Sequence, residues 1–291
     1  DQDFLWTRQI IEGNLWLHIY VPRLKVWAKQ QKDINMKDYE DQRFFKMAET
    51  YDKMAQLLVP KYDLLQDETL KIASFEGVTD PTVVDLGAGS GILLEKVLTR
   101  YPDAKCYWID FSDDFLKIAK ERLSRFGERI EFILSPIEED WEREIENGEG
   151  KGVDAIFSMS AIHHLESAEK KRLYRRCFEI LNRSGWFFNI DEMKTIYNDA
   201  QLKSLYFWIE HVEGARGGVP GDMNHHYQRW NDHFQNWKRR NVDEIDQPKK
   251  KGDDIHDSFL KQIGWLKEIG FANVDLYIKY HLWSVIGGQK F

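Results

Sequence analysis

Apolar positions along the middle of the chain repeat with two alternating periods. Short β-rich runs at Thr82–Leu86, Lys105–Ile109, Ile130–Leu134, Val153–Ser158 and Trp186–Ile190 are separated by longer runs in which apolar residues recur every three or four positions. The longer runs predict helices over Ile92–Tyr101, Asp113–Phe126 and Ser167–Leu181. Alternation of this kind predicts a parallel sheet covered on both faces, the doubly wound α/β class. Near the C-terminus, Phe259–Ile269 reads as a helix stopped by Gly270, with Val274–Ile278 and Leu282–Ile286 as two closing strands.

The flanks follow a different rhythm. Residues 1–35 carry Trp6, Trp16 and Trp27 among long aliphatics, and Pro22 forbids one continuous helix there. Two short amphipathic helices, packed as a cap rather than lying on a membrane, are the expected form. Phe44, Phe45, Met47, Ala48, Tyr51, Met54, Leu57 and Leu58 then fall at helical spacing, and the pattern resumes after Pro60. Residues 194–257 are polar and aromatic, with Gly214, Gly217, Gly218, Pro220 and Gly221 near the centre. Such a stretch is too long for a simple loop in a compact domain and reads as an inserted helical lid. The expected organisation is a helical cap over 1–75, a Rossmann-like core over 76–193, the lid over 194–257, and a helix with two strands over 258–291 completing the sheet.

Composition narrows the function classes. With 291 residues and 42% hydrophobic content the chain can bury a full core without staples. Cys106 and Cys177 sit in apolar stretches, as inert buried thiols do, so a reducing compartment is expected and a disulfide framework is excluded. No run of apolar residues is long enough for a membrane span and no secretory leader is visible, which makes the cytoplasm the expected location. A net charge of -8 disfavours a general nucleic-acid binder. Lys249, Lys250 and Lys251 are flanked by Asp243, Glu244, Asp246, Asp253 and Asp254 and read as a solvated loop. Eleven tryptophans imply aromatic surface covered by a lid or a second subunit, with a homodimer preferred.

The strongest chemical signal is Val83-Val84-Asp85-Leu86-Gly87-Ala88-Gly89-Ser90-Gly91, an apolar strand running into a glycine turn that opens a helix. Glycines let backbone approach a ligand closely, and a helix start offers unpaired N–H groups. A dinucleotide fingerprint would place its third glycine at position 92, where Ile92 stands, and has no counterpart of Asp85. At the end of the next strand Asp110 offers a carboxylate to both hydroxyls of a ribose; taken alone it also fits a helix N-terminal acid before Ser112 and Asp113.

Together, the glycine turn and Asp110 resemble the class I S-adenosylmethionine-dependent methyltransferase family. Asp154-Ala155-Ile156-Phe157-Ser158-Met159-Ser160-Ala161-Ile162-His163-His164-Leu165 looks like that family's fourth strand and the loop facing the methyl group, and Leu181-Asn182-Arg183-Ser184-Gly185-Trp186 like its turn into strand five. The resemblance runs from roughly Tyr39 onward and implies the sheet order 3-2-1-4-5-7-6, with S-adenosyl-L-methionine as cofactor. It implies that Asp85, Gly87, Ala88, Gly89 and Gly91 form the cofactor turn, that Asp110 holds the ribose and that Phe111 covers the adenine. Where the family often carries an adenine-binding Asp, this chain has Ser135-Pro136-Ile137, so Ser135 and Ile137 are assigned there instead, and Ser158 to the strand-four edge. Tyr51-Asp52-Lys53-Met54 and Pro60-Lys61-Tyr62-Asp63 are similar to a subgroup related to enzymes that make or use carboxylated S-adenosylmethionine, in which Tyr51 would close over the cofactor.

His163 and His164 follow strand four, at the edge where ligands sit in such sheets, and are the candidate catalytic residues, able to deprotonate an acceptor; the pair also fits a cap of the next helix or core packing. In the lid, His226, Arg229, Trp230 and His233 fall at i, i+3, i+4 and i+7, one face able to hold a planar or anionic acceptor. His225, His226 and His233 lack carboxylate or cysteine spacing around them, so no metal is expected. The activity implied is methyl transfer to a small molecule. The alternatives are the same fold acting on RNA or on a carboxylated cofactor, and a cofactor-binding protein without turnover.

Overall fold

The computed structural model describes residues 47–291 except 74, 76, 150, 151, 251 and 252. The expected cap helices over residues 1–35, with their tryptophans, lie outside the described residues. Two helices, α1 (Ala48–Leu58) and α2 (Tyr62–Ile72), precede the sheet. The core then runs β1 (Thr82–Leu86), α3 (Ile92–Arg100), β2 (Lys105–Asp110), α4 (Asp113–Leu123), β3 (Ile130–Leu134), α5 (Glu142–Glu149), β4 (Val153–Met159), α6 (Ser167–Ile180) and β5 (Leu181–Glu192). Two helices from the segment read as a lid follow, α7 (Asn198–Ala215) and α8 (Asn224–Lys238). The chain closes with α9 (Phe259–Ile269), β6 (Ala272–Tyr280) and β7 (Trp283–Gln289).

The seven strands form one sheet in the order β3-β2-β1-β4-β5-β7-β6. Pairing is parallel from β3 through β5, whereas β7 runs antiparallel to both β5 and β6. Alternation along β1 explains why both faces need covering: Val83 points into one apolar cluster, and Val84 and Leu86 into another. Trp108 and Ile109 on β2, and Phe188 and Phe187 on β5, divide between the same two clusters. Helices α7 and α8 join the first cluster through Trp208, Val212, Trp230, Phe234 and Trp237, so they pack on the sheet side that also carries α1 to α4.

β5 is longer than the apolar run Trp186–Ile190 suggests, extending back to Leu181 and forward to Glu192. Both ends join the strand because neighbours pair with them: apolar Leu181 meets Val153 of β4, and polar Asp191 and Glu192 meet Ser284 and Trp283 of β7. The helix expected through Phe126 ends at Leu123 and tightens into a 3₁₀ turn over Ser124–Arg129, broken at Gly127 with φ 58°. Both cysteines are free and buried, as expected. Trp108, Trp141, Trp208, Trp230, Trp237, Trp265 and Trp283 are buried within the chain itself, so these tryptophans give no argument for a second subunit. Among the described residues no helix is long and apolar enough to cross a membrane.

Candidate active site

The glycine turn is built by β1 and β2 together. The N–H groups of Gly87 and Ala88 both donate to the carbonyl of Ile109, at 2.8 and 3.0 Å, folding the chain sharply where β1 ends. Gly87 has φ 68°, and a Cβ there would lie 2.3 Å from the Ala161 methyl carbon in the loop after β4. Glycine is required by close packing at that point. Gly89 differs: at φ 51° its Cβ would meet only ring carbons of Phe115 at 3.8 and 3.9 Å. Those are ordinary van der Waals separations, so at Gly89 it is the positive φ rather than crowding that calls for glycine.

Asp110 fixes this turn. Its Oδ2 accepts from the Gly89 N–H and its Oδ1 from the Ser112 N–H, both at 2.9 Å. The helix cap is a different residue, since Ser112 Oγ accepts from the Phe115 N–H of α4 at 3.3 Å. Trp108 Nε1–H donates to the Gly89 carbonyl at 2.8 Å and locks the turn from β2. Burial pushes the Asp110 carboxyl up to about 6, against the backbone N–H groups of Ser112, Gly89 and Phe111 that favour its charge. Asp85, buried on β1, is driven to about 8 by burial and then by the charge of Asp110.

Other residues assigned to the cofactor take varied positions. Phe111 is half-buried beside Asp110. Ser135 donates its N–H to the Asp110 carbonyl at 2.9 Å. Ile137 is buried in the second core cluster, where its carbonyl accepts from Trp141 Nε1–H at 2.9 Å. The Ser158 hydroxyl is wholly buried and donates to the Leu86 carbonyl at 2.7 Å, tying β4 to β1. The side chain of Ile137 thus serves the core, packed there by the turn after β3, and that of Ser158 ties the sheet together.

A pocket opens beside the turn at the carboxyl ends of β4 and β5. Its wall comprises Tyr51 and Val59 from α1 and its end, Ser160, His163, His164 and Glu192 from the ends of β4 and β5, Trp208, Trp230, His233, Phe234 and Trp237 from α7 and α8, and Asp254 and Trp283. Two contacts join it to the turn: Tyr51 stands edge-on to Phe115 with ring centroids 5.9 Å apart, and Ala161 follows Ser160 against Gly87. Ser160 itself takes φ 56°, an uncommon backbone for a residue with a Cβ, which turns the chain into the short helix Ile162–His164.

His163 is held by Asp191 at the end of β5. The Asp191 carboxylate accepts the His163 backbone N–H at 2.8 Å and meets Nδ1 at 2.6 Å. Burial opposes charge on this ring, but Asp191, Glu192 and Asp254 carry it up to about 9. Burial, reinforced by the charge of His163, brings His164 down to about 3, and burial brings His233 down to about 4. Burial raises the Tyr51 phenol to about 12, so it stays protonated.

The lid face is narrower than the sequence spacing implies. Trp230 and His233 reach the pocket, joined by Phe234 and Trp237. His226 lies a turn earlier, where its Nδ1 sits 3.1 Å from Thr50 Oγ1 of α1, and Arg229 is exposed. No Arg or Lys is among the described residues lining this pocket, so the pocket wall itself offers no cation to pair with an anion. The spacing of Trp230, Phe234 and Trp237 was a usable helical signal. Asp191, Glu192 and Asp254 gave none, since only folding brings them to the histidines.

Residues 83–185 match a family model described as a methyltransferase domain. This core is a class I S-adenosylmethionine-dependent methyltransferase domain. Malonyl-[acyl-carrier protein] O-methyltransferase 1 of Ilyobacter polytropus is 28% identical over 145 residues, 50% of this chain and 48% of that protein. Carboxy-S-adenosyl-L-methionine synthase of Campylobacter concisus is 26% identical over 172 residues, 59% of this chain and 69% of that one. The chain therefore spans about half to two thirds of the length of these curated relatives. In fold it is similar to a putative O-methyltransferase from Nostoc punctiforme, with TM-score 0.53 and 18% identity over 84% of this chain and 60% of that chain. A putative S-adenosyl-L-methionine-dependent methyltransferase from Methanococcus maripaludis gives TM-score 0.50 and 17% identity, covering 84% and 93%. The methyltransferase domain takes S-adenosyl-L-methionine as its cofactor, and the glycine turn with the buried Asp110 carboxylate beside it fits that molecule.

Proposed function

We propose that the chain transfers a methyl group to a small, largely planar acceptor that binds in the tryptophan-lined pocket through an oxygen atom. The observation that carries this reading is the pocket itself, which abuts the glycine turn and is walled by indoles. Two of those indoles, Trp237 and Trp283, have buried Nε1–H groups with no hydrogen-bond partner among the described residues. Buried donors of this kind favour a ligand that brings an acceptor atom.

S-adenosylmethionine, when bound, supplies a methyl group on a positively charged sulfur. The protein's task is alignment, exclusion of water and removal of any proton on the acceptor. The glycine turn and Asp110 hold the amino-acid and ribose portions. Helices α7 and α8 act as the lid, pressing Trp208, Trp230 and Trp237 over the acceptor. His164 and His233 stand in the pocket as neutral rings that burial holds against protonation, suited to orienting the acceptor by hydrogen bonding, while His163, tied to Asp191, is a positioning residue. The acidic balance and the lack of a basic pocket wall favour this reading over an RNA substrate or a carboxylated cofactor. The free, buried cysteines support a cytoplasmic location.

The test is a screen of phenols, hydroxylated heteroaromatics and carboxylic acids, reading release of S-adenosylhomocysteine. A true acceptor should turn over, and Trp230→Ala should raise its KM at least about tenfold, the loss of one stacked aromatic contact. Tight binding of S-adenosylhomocysteine without turnover of any class would leave a cofactor-binding protein and sink the enzyme reading.

A further inference from the structure

The pocket holds a second chemical feature that methyl transfer by itself does not require. His163, His164 and Asp254 each offer a ligand atom, and these atoms lie within 4.8 Å of one another. Asp254 Oδ1 is 3.6 Å from His163 Nε2 and 3.8 Å from His164 Nδ1. Both separations exceed a hydrogen bond. They suit ligands around one ion instead, since bonds of about 2.0–2.2 Å at tetrahedral angles set donor atoms about 3.4 Å apart.

The surroundings of the three side chains have the form of a built site. Asp191 takes the Nδ1 side of His163 at 2.6 Å and so turns Nε2 toward Asp254. Asp254 Oδ2 is occupied by Asn241 Nδ2–H at 2.8 Å and approached by Arg240 Nη2 at 3.4 Å, which leaves Oδ1 facing the two rings. Carboxylate support behind a ligating histidine and an amide behind a ligating carboxylate are the usual outer partners of a metal. The backbone is fixed as well: Ile255 N–H donates to the His163 carbonyl at 2.8 Å, and Lys170, which is fully buried, bonds the Ile255 carbonyl and Asp257. The chain immediately after Asp254 is thus clamped beside the loop that carries the histidines.

We propose that His163 Nε2, His164 Nδ1 and Asp254 Oδ1 bind one divalent first-row transition-metal ion, with zinc the first probe, leaving an open coordination position toward the tryptophan-lined pocket. Two imidazoles and one carboxylate suit a borderline ion better than magnesium or calcium. Three protein ligands with an open side are the arrangement of a catalytic rather than a structural site. There the ion would bind the acceptor oxygen and favour its deprotonated form. That role rests on the methyl-transfer reading, whereas binding of the ion does not.

The experiment uses the full chain stripped with chelator and dialysed. Zn²⁺ is titrated by calorimetry, and Co²⁺ by its visible absorption, for the wild type, Asp254→Asn and His164→Gln. S-adenosylhomocysteine binding is measured on every sample. One equivalent per chain is expected, weakened at least 100-fold in either variant, with Co²⁺ bands of a four- or five-coordinate site and S-adenosylhomocysteine binding retained. Two variants are used so that a folding failure in one leaves the other to decide. Absence of stoichiometric binding by a wild type that still binds S-adenosylhomocysteine would overturn the metal site alone, as would equal binding by a folded variant. Loss of S-adenosylhomocysteine binding by the wild type would instead remove the methyl-transfer reading.

Discussion

At the scale of single residues, Asp110 and Gly87 make the sharpest demands. Asp110 is nearly enclosed and bonded to two N–H groups of the turn it serves, yet burial keeps its carboxyl near 6. Ribose hydroxyls donate to the ionised form, so affinity for S-adenosylhomocysteine should fall as pH drops from 7 to 5. Asp110→Asn should weaken binding about 10- to 100-fold at pH 7.5 and flatten the pH profile, by calorimetry at each pH. A profile of unchanged slope in the variant would mean that another group controls binding. Gly87→Ala forces a side chain onto Ala161 at a positive φ and should destabilise the chain by about 2–4 kcal/mol in urea unfolding. Gly89→Ala would touch only Phe115 ring carbons, at 3.8 and 3.9 Å, but at a positive φ, so it should cost about 1–2 kcal/mol of stability as well as binding, less than Gly87→Ala.

Among elements, the pairing of α1 with α7 and α8 decides whether the pocket has a roof. Trp208 of α7 donates its Nε1–H to the Leu58 carbonyl at the end of α1, at 2.9 Å. Its ring stands edge-on to Trp237 at 4.4 Å, Phe234 at 5.3 Å and Trp283 at 5.9 Å. Removing it leaves a cavity where three elements meet. Trp208→Ala should cost about 3–5 kcal/mol in denaturant unfolding, whereas a loss below about 1 kcal/mol would mean that the lid helices are held elsewhere. The helical pattern of this segment was legible in its aromatic spacing. The inward face was not, because spacing alone cannot tell which of His226 and Trp237 lies over the sheet edge.

For the whole molecule, the paired acids under the cofactor turn set a pH dependence. In the folded state the Asp85 carboxyl is raised from its ordinary value of 3.8 to about 8, by burial and by the charge of Asp110. Its contribution is fully present below about 4 and is lost as pH rises toward 8, because the fold must then hold a buried charge. The melting temperature of the ligand-free wild type should therefore fall relative to Asp85→Asn between pH 5 and 8. A constant difference across that range would show that Asp85 stays in one protonation state throughout.

The doubly wound core was readable from sequence because a sheet covered on both faces imposes near-continuous apolar strands, and helices between them impose a 3.6-residue period. The glycine turn and Asp110 were readable because they are local: strand, turn and strand end lie close in the chain. Ser158 and Ile137 went to the sheet and the core, since the direction of a side chain at an element's edge depends on what packs against it. The pocket chemistry was decided by tertiary structure. His163 depends on Asp191 from the next strand, and Asp254 reaches both histidines only because Ile255 and Lys170 pin a distant segment beside them. Periodicity records which residues share a face of one element; it carries no information about which faces of distant elements meet.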